Sequence, residues 1–141
     1  NLLGGKFEME LLNFSSPQLV FENAKFLGKV SSNSINLTGR SKSALWRLGQ
    51  VEELDENPIF VNAEAGLRNL EFNFEFEPKR VVLTDFRADV GSDQKVNLKG
   101  DWVGPGKINL ELGVRKKNKT VGLWLVKYNN EKVSMRKTSL N

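Results

Sequence analysis

The sequence contains no cysteine and no histidine. These absences exclude thiol redox chemistry, cysteine nucleophiles, zinc fingers and every histidine-based catalytic triad. No apolar run approaches the roughly 18 residues that a membrane-crossing helix needs. The first residues, NLLGGKFEME, lack an initiator methionine, a basic start and the apolar stretch of a signal peptide. We therefore expect a fragment of a longer protein, with any membrane anchor outside it.

What is present fits one globular domain. The chain has 141 residues, of which 39% are hydrophobic and 27% charged, and a chain of this size can bury a core without disulfides or metals. Nine phenylalanines against one tyrosine indicate a strongly apolar interior. We expect a single domain over residues 1–141 and no cofactor.

The main pattern is alternation with a period of two residues. In NLEFNFEFE, apolar and polar residues alternate, which is typical of a strand with one buried face. That face comprises Leu70, Phe72, Phe74 and Phe76. Similar alternation predicts strands over 6–12, 18–24, 29–38, 58–65, 69–77, 80–90, 94–101, 106–115, 120–128 and 132–138.

One segment departs from this pattern. In SKSALWRLGQVEELDENP, Leu45, Leu48, Val51 and Leu54 recur near helical spacing after possible capping serines. The spacing predicts one short helix near 43–54. The predicted fold is all-β, with about ten antiparallel strands in a curled open sheet or a two-sheet sandwich and this one helix.

Two stretches of the chain are similar to each other. When Gly39 is aligned with Gly100, INLTG falls on VNLKG, and the apolar pairs that begin each unit also match. The pattern predicts an internal repeat of residues 20–39 in residues 82–100, although alternating strands also resemble one another by chance. Either way, each hairpin has an apolar face that it cannot bury alone.

The sequence shows no recognisable set of catalytic residues, and we expect that the protein is not an enzyme. The carboxylates of VEELDEN are typical of a solvated turn, because nothing nearby supplies a substrate platform. Trp102, in GDWVGPG, ends a strand where an exposed aromatic side chain could contact a ligand such as a sugar. The sequence predicts no catalytic residue, cofactor site or metal site.

The charge is unevenly distributed. Residues 1–114 carry 13 basic and 16 acidic residues, whereas residues 115–141, here called the basic end, carry eight basic residues and one acidic residue. Such a cluster is typical either of a solvated edge that blocks aggregation or of contact with an anionic surface such as a membrane. Nucleic acid is not expected as a partner, because stacking aromatics are scarce beside the charges. The residues expected to make this contact are Arg115, Lys116, Lys117, Lys119, Arg136 and Lys137.

The stretches LVFENAKFLGKVSSNSINLTGRSK and VVLTDFRADVGSDQKVNLKGDW resemble the β-repeats of bacterial AsmA-like and TamB-like envelope proteins, including type II secretion system protein N. The resemblance covers about 45 residues. It implies a curved sheet with an apolar inner face, a periplasmic or inner-membrane-associated location, and an anchor outside this chain. The apolar residues to which it extends are Val20, Phe21, Ile35, Leu37, Val82, Leu83, Val96 and Leu98.

The resulting expectation is a non-enzymatic envelope domain. It would shield or guide an apolar or lipid ligand, or form a structural part of an envelope transport or secretion assembly. Its partners would be lipids or other envelope components, and envelope proteins joined through β-edges. The alternative is a carbohydrate-binding β-sandwich module of a secreted enzyme, with Trp102 or Trp46 as the platform.

Overall fold

A computed structural model describes residues 5–15, 19–30, 33–104 and 106–138. These residues form ten β-strands and no helix. The strands are β1 Gly5–Ser15, β2 Leu19–Val30, β3 Ile35–Arg47, β4 Gln50–Leu54, β5 Glu64–Glu77, β6 Arg80–Val90, β7 Gln94–Trp102, β8 Lys107–Lys116, β9 Lys119–Asn129 and β10 Lys132–Lys137.

All ten strands belong to one open sheet with the order β1-β2-β3-β5-β6-β7-β8-β9-β10-β4. Neighbouring strands are antiparallel, except that β4 runs parallel to β10. The predicted all-β class and the single, largely antiparallel open sheet are confirmed. The two-sheet alternative is not what the described residues form, since every strand is hydrogen-bonded into the same sheet.

The predicted helix over 43–54 is wrong. Its first half continues β3 and its second half forms β4, an edge strand exposed along its whole length. Trp46 and Leu48, two residues apart, are both buried, as strand geometry requires. Gly49 then turns the chain with a φ of 89°, a conformation that favours glycine. The near-helical spacing combined residues from different settings: Leu45 faces outward, Leu48 is buried, and Val51 and Leu54 lie exposed on the edge strand β4.

Two predicted strand ranges also need correction. The range 29–38 covers the end of β2 and the start of β3, with residues 31–32 outside the described part of the chain, and Gly39 lies in the interior of β3 rather than at its end. The range 58–65 is mostly irregular, with one isolated bridge between Val61 and Glu64 before β5 begins. Residues 55–63 form a connecting segment, here called the strap.

The sheet is curled so strongly that opposite corners meet. Four strands separate β3 from β9, which would place them about 24 Å apart in a flat sheet. Nevertheless Nε1 of Trp46 in β3 donates a hydrogen bond of 3.1 Å to the hydroxyl of Tyr128 in β9. The strap covers this folded corner, where the Phe60 ring packs edge-on against Trp46 at 4.9 Å. Nε1 of Trp124 donates to the Glu56 carbonyl at 3.0 Å.

The inner face of the curled sheet carries the core. Directly opposite residues share a face, so apolar side chains line up in rows across the strands. One such row consists of Leu37, Phe74, Leu83, Gly100, Leu110, Val126 and Met135. Leu48, Leu112, Val114 and Val126 are completely buried. The interior at the folded corner is therefore filled by side chains.

A transverse irregularity crosses β2, β3 and β5. At this crease, inward residues are spaced three apart instead of two, as in Phe21 to Ala24 and Leu67 to Leu70. Asn23 and Asn69 adopt the left-handed conformation there, each with a φ of 52°, which asparagine tolerates better than most residues. Each strand thus turns two successive side chains outward at the crease, and the inward pattern resumes beyond it.

Candidate apolar binding site

The inner face becomes progressively more exposed along β5. Phe72 is 3% exposed, Phe74 is half-buried, and Phe76 is 37% exposed. All three lie on the same face, because they alternate along one strand. The core therefore opens at the end of the sheet where β5 stops, away from the corner covered by the strap.

A continuous apolar row borders this opening. Directly opposite residues in consecutive strands form the terminal row, which consists of Val30, Ile35, Phe76, Val81, Trp102, Ile108 and Tyr128. No charged residue interrupts the row. Ile35 is 39% exposed, whereas Tyr128 is buried in the folded corner. The opening is thus widest around β3 and β5 and narrows towards β9.

Aromatic rings connect the opening with the core. The Phe74 ring lies 5.7 Å from Phe72, 6.2 Å from Phe76 and 5.8 Å from Trp102, measured between centroids. Behind them, Phe72 also contacts Phe26 at 5.6 Å. Separations of 4.5–7 Å are the favourable range for aromatic pairs. The rings form one connected strip from the buried interior to the exposed end.

Gly39 makes this strip possible. It lies between Phe26 and Phe72 in the sheet, and a β-carbon built on it would fall 2.2 Å from an atom of the Phe72 ring. The missing side chain lets rings from two non-adjacent strands meet across β3. The sequence signalled this glycine through the repeat, but not its role as a gap between aromatics.

The predicted apolar residues fall on both faces of the sheet. Val20 and Val82 precede the inward residues Phe21 and Leu83, and therefore face outward. The ten that face inward are Phe21, Ile35, Leu37, Leu70, Phe72, Phe74, Phe76, Leu83, Val96 and Leu98. The duplication of 20–39 in 82–100 stays a prediction; both units are hairpins, and Leu37 and Leu98 share the inner face.

The three tryptophans differ in what they offer a ligand. Trp46 and Trp124 are buried, at 4% and 1% exposure. Trp102 is half-buried at the opening, and its ring is tilted by 54° against Phe74. Trp102 is thus the tryptophan that a ligand at the opening can reach, and it belongs to the apolar strip rather than to a separate flat platform.

The β8–β9 turn of the basic end lies away from the opening. Lys116 and Lys119 pair at the turn between β8 and β9, eight residues along β8 from Ile108, which corresponds to about 26 Å of strand. Lys116 lies 3.9 Å from the Asp93 carboxylate, whereas Lys117 and Lys119 have no carboxylate within 4.0 Å in the described part of the chain. The lysines of this turn and the apolar opening therefore face different surroundings.

The remaining predicted basic residues are held by local contacts. Arg136 makes a 2.9 Å ion pair with Glu53 of β4, and the Lys137 ammonium lies 5.4 Å from the centre of the Trp124 ring. The Arg115 guanidinium donates to the Asn118 carbonyl at 3.2 Å. Arg136 therefore helps to fix the edge strand β4. Of the six predicted contact residues, Lys117 and Lys119 make no such contact within the described residues.

Sequence reasoning missed the residues that complete the opening. Val81, Ile108 and Tyr128 belong to the terminal row, but only the strand register shows that they line up with Phe76 and Trp102.

The Tyr128 hydroxyl is buried, and burial raises its pKa above the ordinary value of 10.0. The hydrogen bond from Trp46 opposes this shift without cancelling it.

The described residues contain no helix suited to crossing a membrane. They also bring no three carboxylates together in an arrangement that could hold a metal ion. Comparison with protein families, with characterised proteins and with solved structures finds no match. The opening and the charge distribution are therefore the features of this molecule that bear on its function.

Proposed function

We propose that this protein is a non-enzymatic binding domain that receives the acyl chain of a lipid at its open end. The observation that carries the proposal is the terminal row together with the aromatic strip behind it. Phe76 and Ile35, directly opposite each other, are the exposed members. Exposed contiguous apolar surface commonly marks a ligand or interaction site.

The energetics favour an apolar chain over a polar ligand. Burying apolar surface stabilises a complex by about 25 cal/mol per Å², and the opening offers no charged side chain within the terminal row. An acyl chain lying across Ile35, Phe76 and Trp102 would cover exposed apolar area without stripping water from charges. A sugar would instead need hydrogen-bonding partners around a flat aromatic face, which the tilted, half-buried Trp102 does not provide.

The proposed setting is the bacterial cell envelope, on the basis of the resemblance to AsmA-like and TamB-like repeats. In that setting the anchor lies outside this chain, and Lys117 and Lys119 approach an anionic membrane surface. β1 is eleven residues long and, among the described strands, pairs only with β2. Its other edge is a candidate to accept a strand from another envelope protein. The domain would then shield a lipid within a larger assembly.

A displacement experiment tests the binding proposal. The apolar fluorophore N-phenyl-1-naphthylamine would be bound to the protein and displaced with lysophosphatidylcholine below its micellar concentration. We expect Phe76→Ser and Ile35→Ser each to weaken binding by about fivefold or more, because each removes roughly 1 kcal/mol or more of apolar contact. A blue shift of Trp102 fluorescence should accompany binding and disappear in Trp102→Phe.

The matched control is Leu125→Ser. Leu125 is 42% exposed, similar to Phe76, but lies on the outer face of β9. It should leave binding unchanged. If all three serine variants bind the fluorophore equally, or if the lipid displaces nothing, the open end is not a lipid site.

A further inference from the structure

The outer face carries a second candidate site, unrelated to the opening. At the crease, a shallow hollow of about 280 Å³ is lined by residues of β2, β3 and β5. The outward-facing members are Asn23, Lys25, Arg40, Lys42, Asn69 and Glu71. Three cations and one carboxylate therefore surround a single depression.

The charge arrangement in the hollow is unfavourable without an anion. Lys25 lies directly opposite Arg40 in the β2–β3 pair, and like charges in that position are destabilising. Within the described residues, no ion pair within 4.0 Å involves Lys25, Arg40 or Lys42, whereas ten ion pairs form among other residues. What distinguishes these three unpaired cations is that they border the same hollow.

The carboxylate that lines the hollow is engaged by another cation. Glu71 of β5 lies opposite Arg40 of β3. Its carboxylate, however, is 3.5 Å from Arg87 of β6, the next strand of the sheet. Glu10 occupies the position opposite Lys25 in β1. The hollow thus keeps an excess of positive charge between two acidic positions, and Glu71 is the carboxylate that lines it.

The crease gives the hollow its shape. Because each strand turns two successive side chains outward there, Lys42 projects beside Asn69 rather than into the core. The left-handed Asn23 and Asn69 flank it from the two neighbouring strands. Such irregularities redirect side chains and are frequent beside binding sites. Two asparagines and three cations from three strands consequently border one hollow.

We propose that this hollow binds a phosphate group. The planar guanidinium of Arg40 can donate two parallel hydrogen bonds to phosphate oxygens, and Lys25 and Lys42 supply flexible point charges. The Asn23 amide can donate to a remaining oxygen, whereas the Asn69 amide already donates to the Asp89 carboxylate at 3.0 Å. The site is on the opposite face from the apolar opening, so it does not depend on the lipid proposal. The phosphate could belong to a small soluble compound or to a lipid headgroup.

Titration monitored by amide NMR tests this site. Inorganic phosphate would be added at constant ionic strength, balanced with chloride, so that general screening stays fixed. We expect saturable shifts confined to amides near Lys25, Arg40 and Lys42. Arg40→Gln should weaken binding by about tenfold, since it removes a charge-assisted contact. Glu71→Gln should strengthen binding, because it removes the carboxylate that lines the hollow.

Lys99→Gln is the matched control, since Lys99 is an outward cation on β7 that pairs with Glu111 at 3.7 Å. It should leave the phosphate affinity unchanged.

A second experiment uses phosphatidylcholine vesicles with and without phosphatidic acid. Arg40-dependent binding to the phosphatidic acid vesicles supports a headgroup as the source, and saturation by inorganic phosphate alone supports a soluble compound. Shifts that are equal in wild type and Arg40→Gln, with no Arg40-dependent vesicle binding, would overturn the proposal.

Discussion

Phe72 and Phe76 provide the sharpest test of how the interior changes from filled to open. They lie on the same face of β5 and differ in burial, at 3% and 37% exposure. The Phe72 ring has Phe21 at 5.5 Å and Phe86 at 6.2 Å in addition to its neighbours on the strip. We expect Phe72→Ala to lower the free energy of unfolding by about 3–5 kcal/mol, the range for aromatic truncation in a closed core.

Phe76→Ala should cost much less, about 1–2 kcal/mol, because its ring contributes less buried surface and leaves no closed cavity. Urea titrations followed by tryptophan fluorescence would give both values, provided that the dependence of the unfolding free energy on urea stays constant between variants. Equal costs for the two substitutions would refute the gradient. A cost below about 1.5 kcal/mol for Phe72→Ala would mean that the interior is open throughout.

Three further outcomes follow from single contacts. Gly100→Ala should destabilise strongly, because its β-carbon would lie 2.0 Å from a backbone oxygen, whereas Gly66→Ala, with nothing within 4 Å, should be nearly neutral in thermal unfolding. The pKa of Tyr128 is raised in the folded state, so Tyr128 stabilises the fold below pH 10 and loses that contribution above it. The unfolding free energy of Tyr128→Phe should therefore fall less than that of wild type when the pH is raised above 10. Changing Lys117 and Lys119 to Gln should reduce sedimentation with anionic vesicles at low salt and leave neutral vesicles unaffected; a wild-type protein that ignores anionic vesicles would contradict this.

Much of the strand pattern was predictable, because alternation directly reports which side chains face the core. The second half of the chain shows this best: β6 matches its predicted range, and β7 to β10 match within a residue at each end. Turn residues there, such as those between Val90 and Gln94, interrupt the apolar pattern clearly. The class of fold therefore follows from local periodicity alone.

The curl and the register were not predictable in the same way. Nothing local in the sequence indicates that Trp46 meets Tyr128, since their contact depends on the accumulated bend of the strands between them. The exposure of Phe76 depends on the same bend, because its strand neighbours Phe72 and Phe74 have the same residue type and spacing. An identical local pattern thus gives a core residue at one position and a site residue four positions later.

The missed hollow has a physical origin in an irregular spacing of apolar residues. Apolar spacing of three residues is usually a helical signal, but here it also marks strands that turn two side chains outward, as between Phe21 and Ala24 or Leu67 and Leu70. Where this spacing recurs at the same level in neighbouring strands, the outward residues accumulate in one place. At the crease those residues are polar, and Lys42 among them lies beside Lys25 and Arg40, so the irregularity helps to place three cations around one hollow on the opposite face.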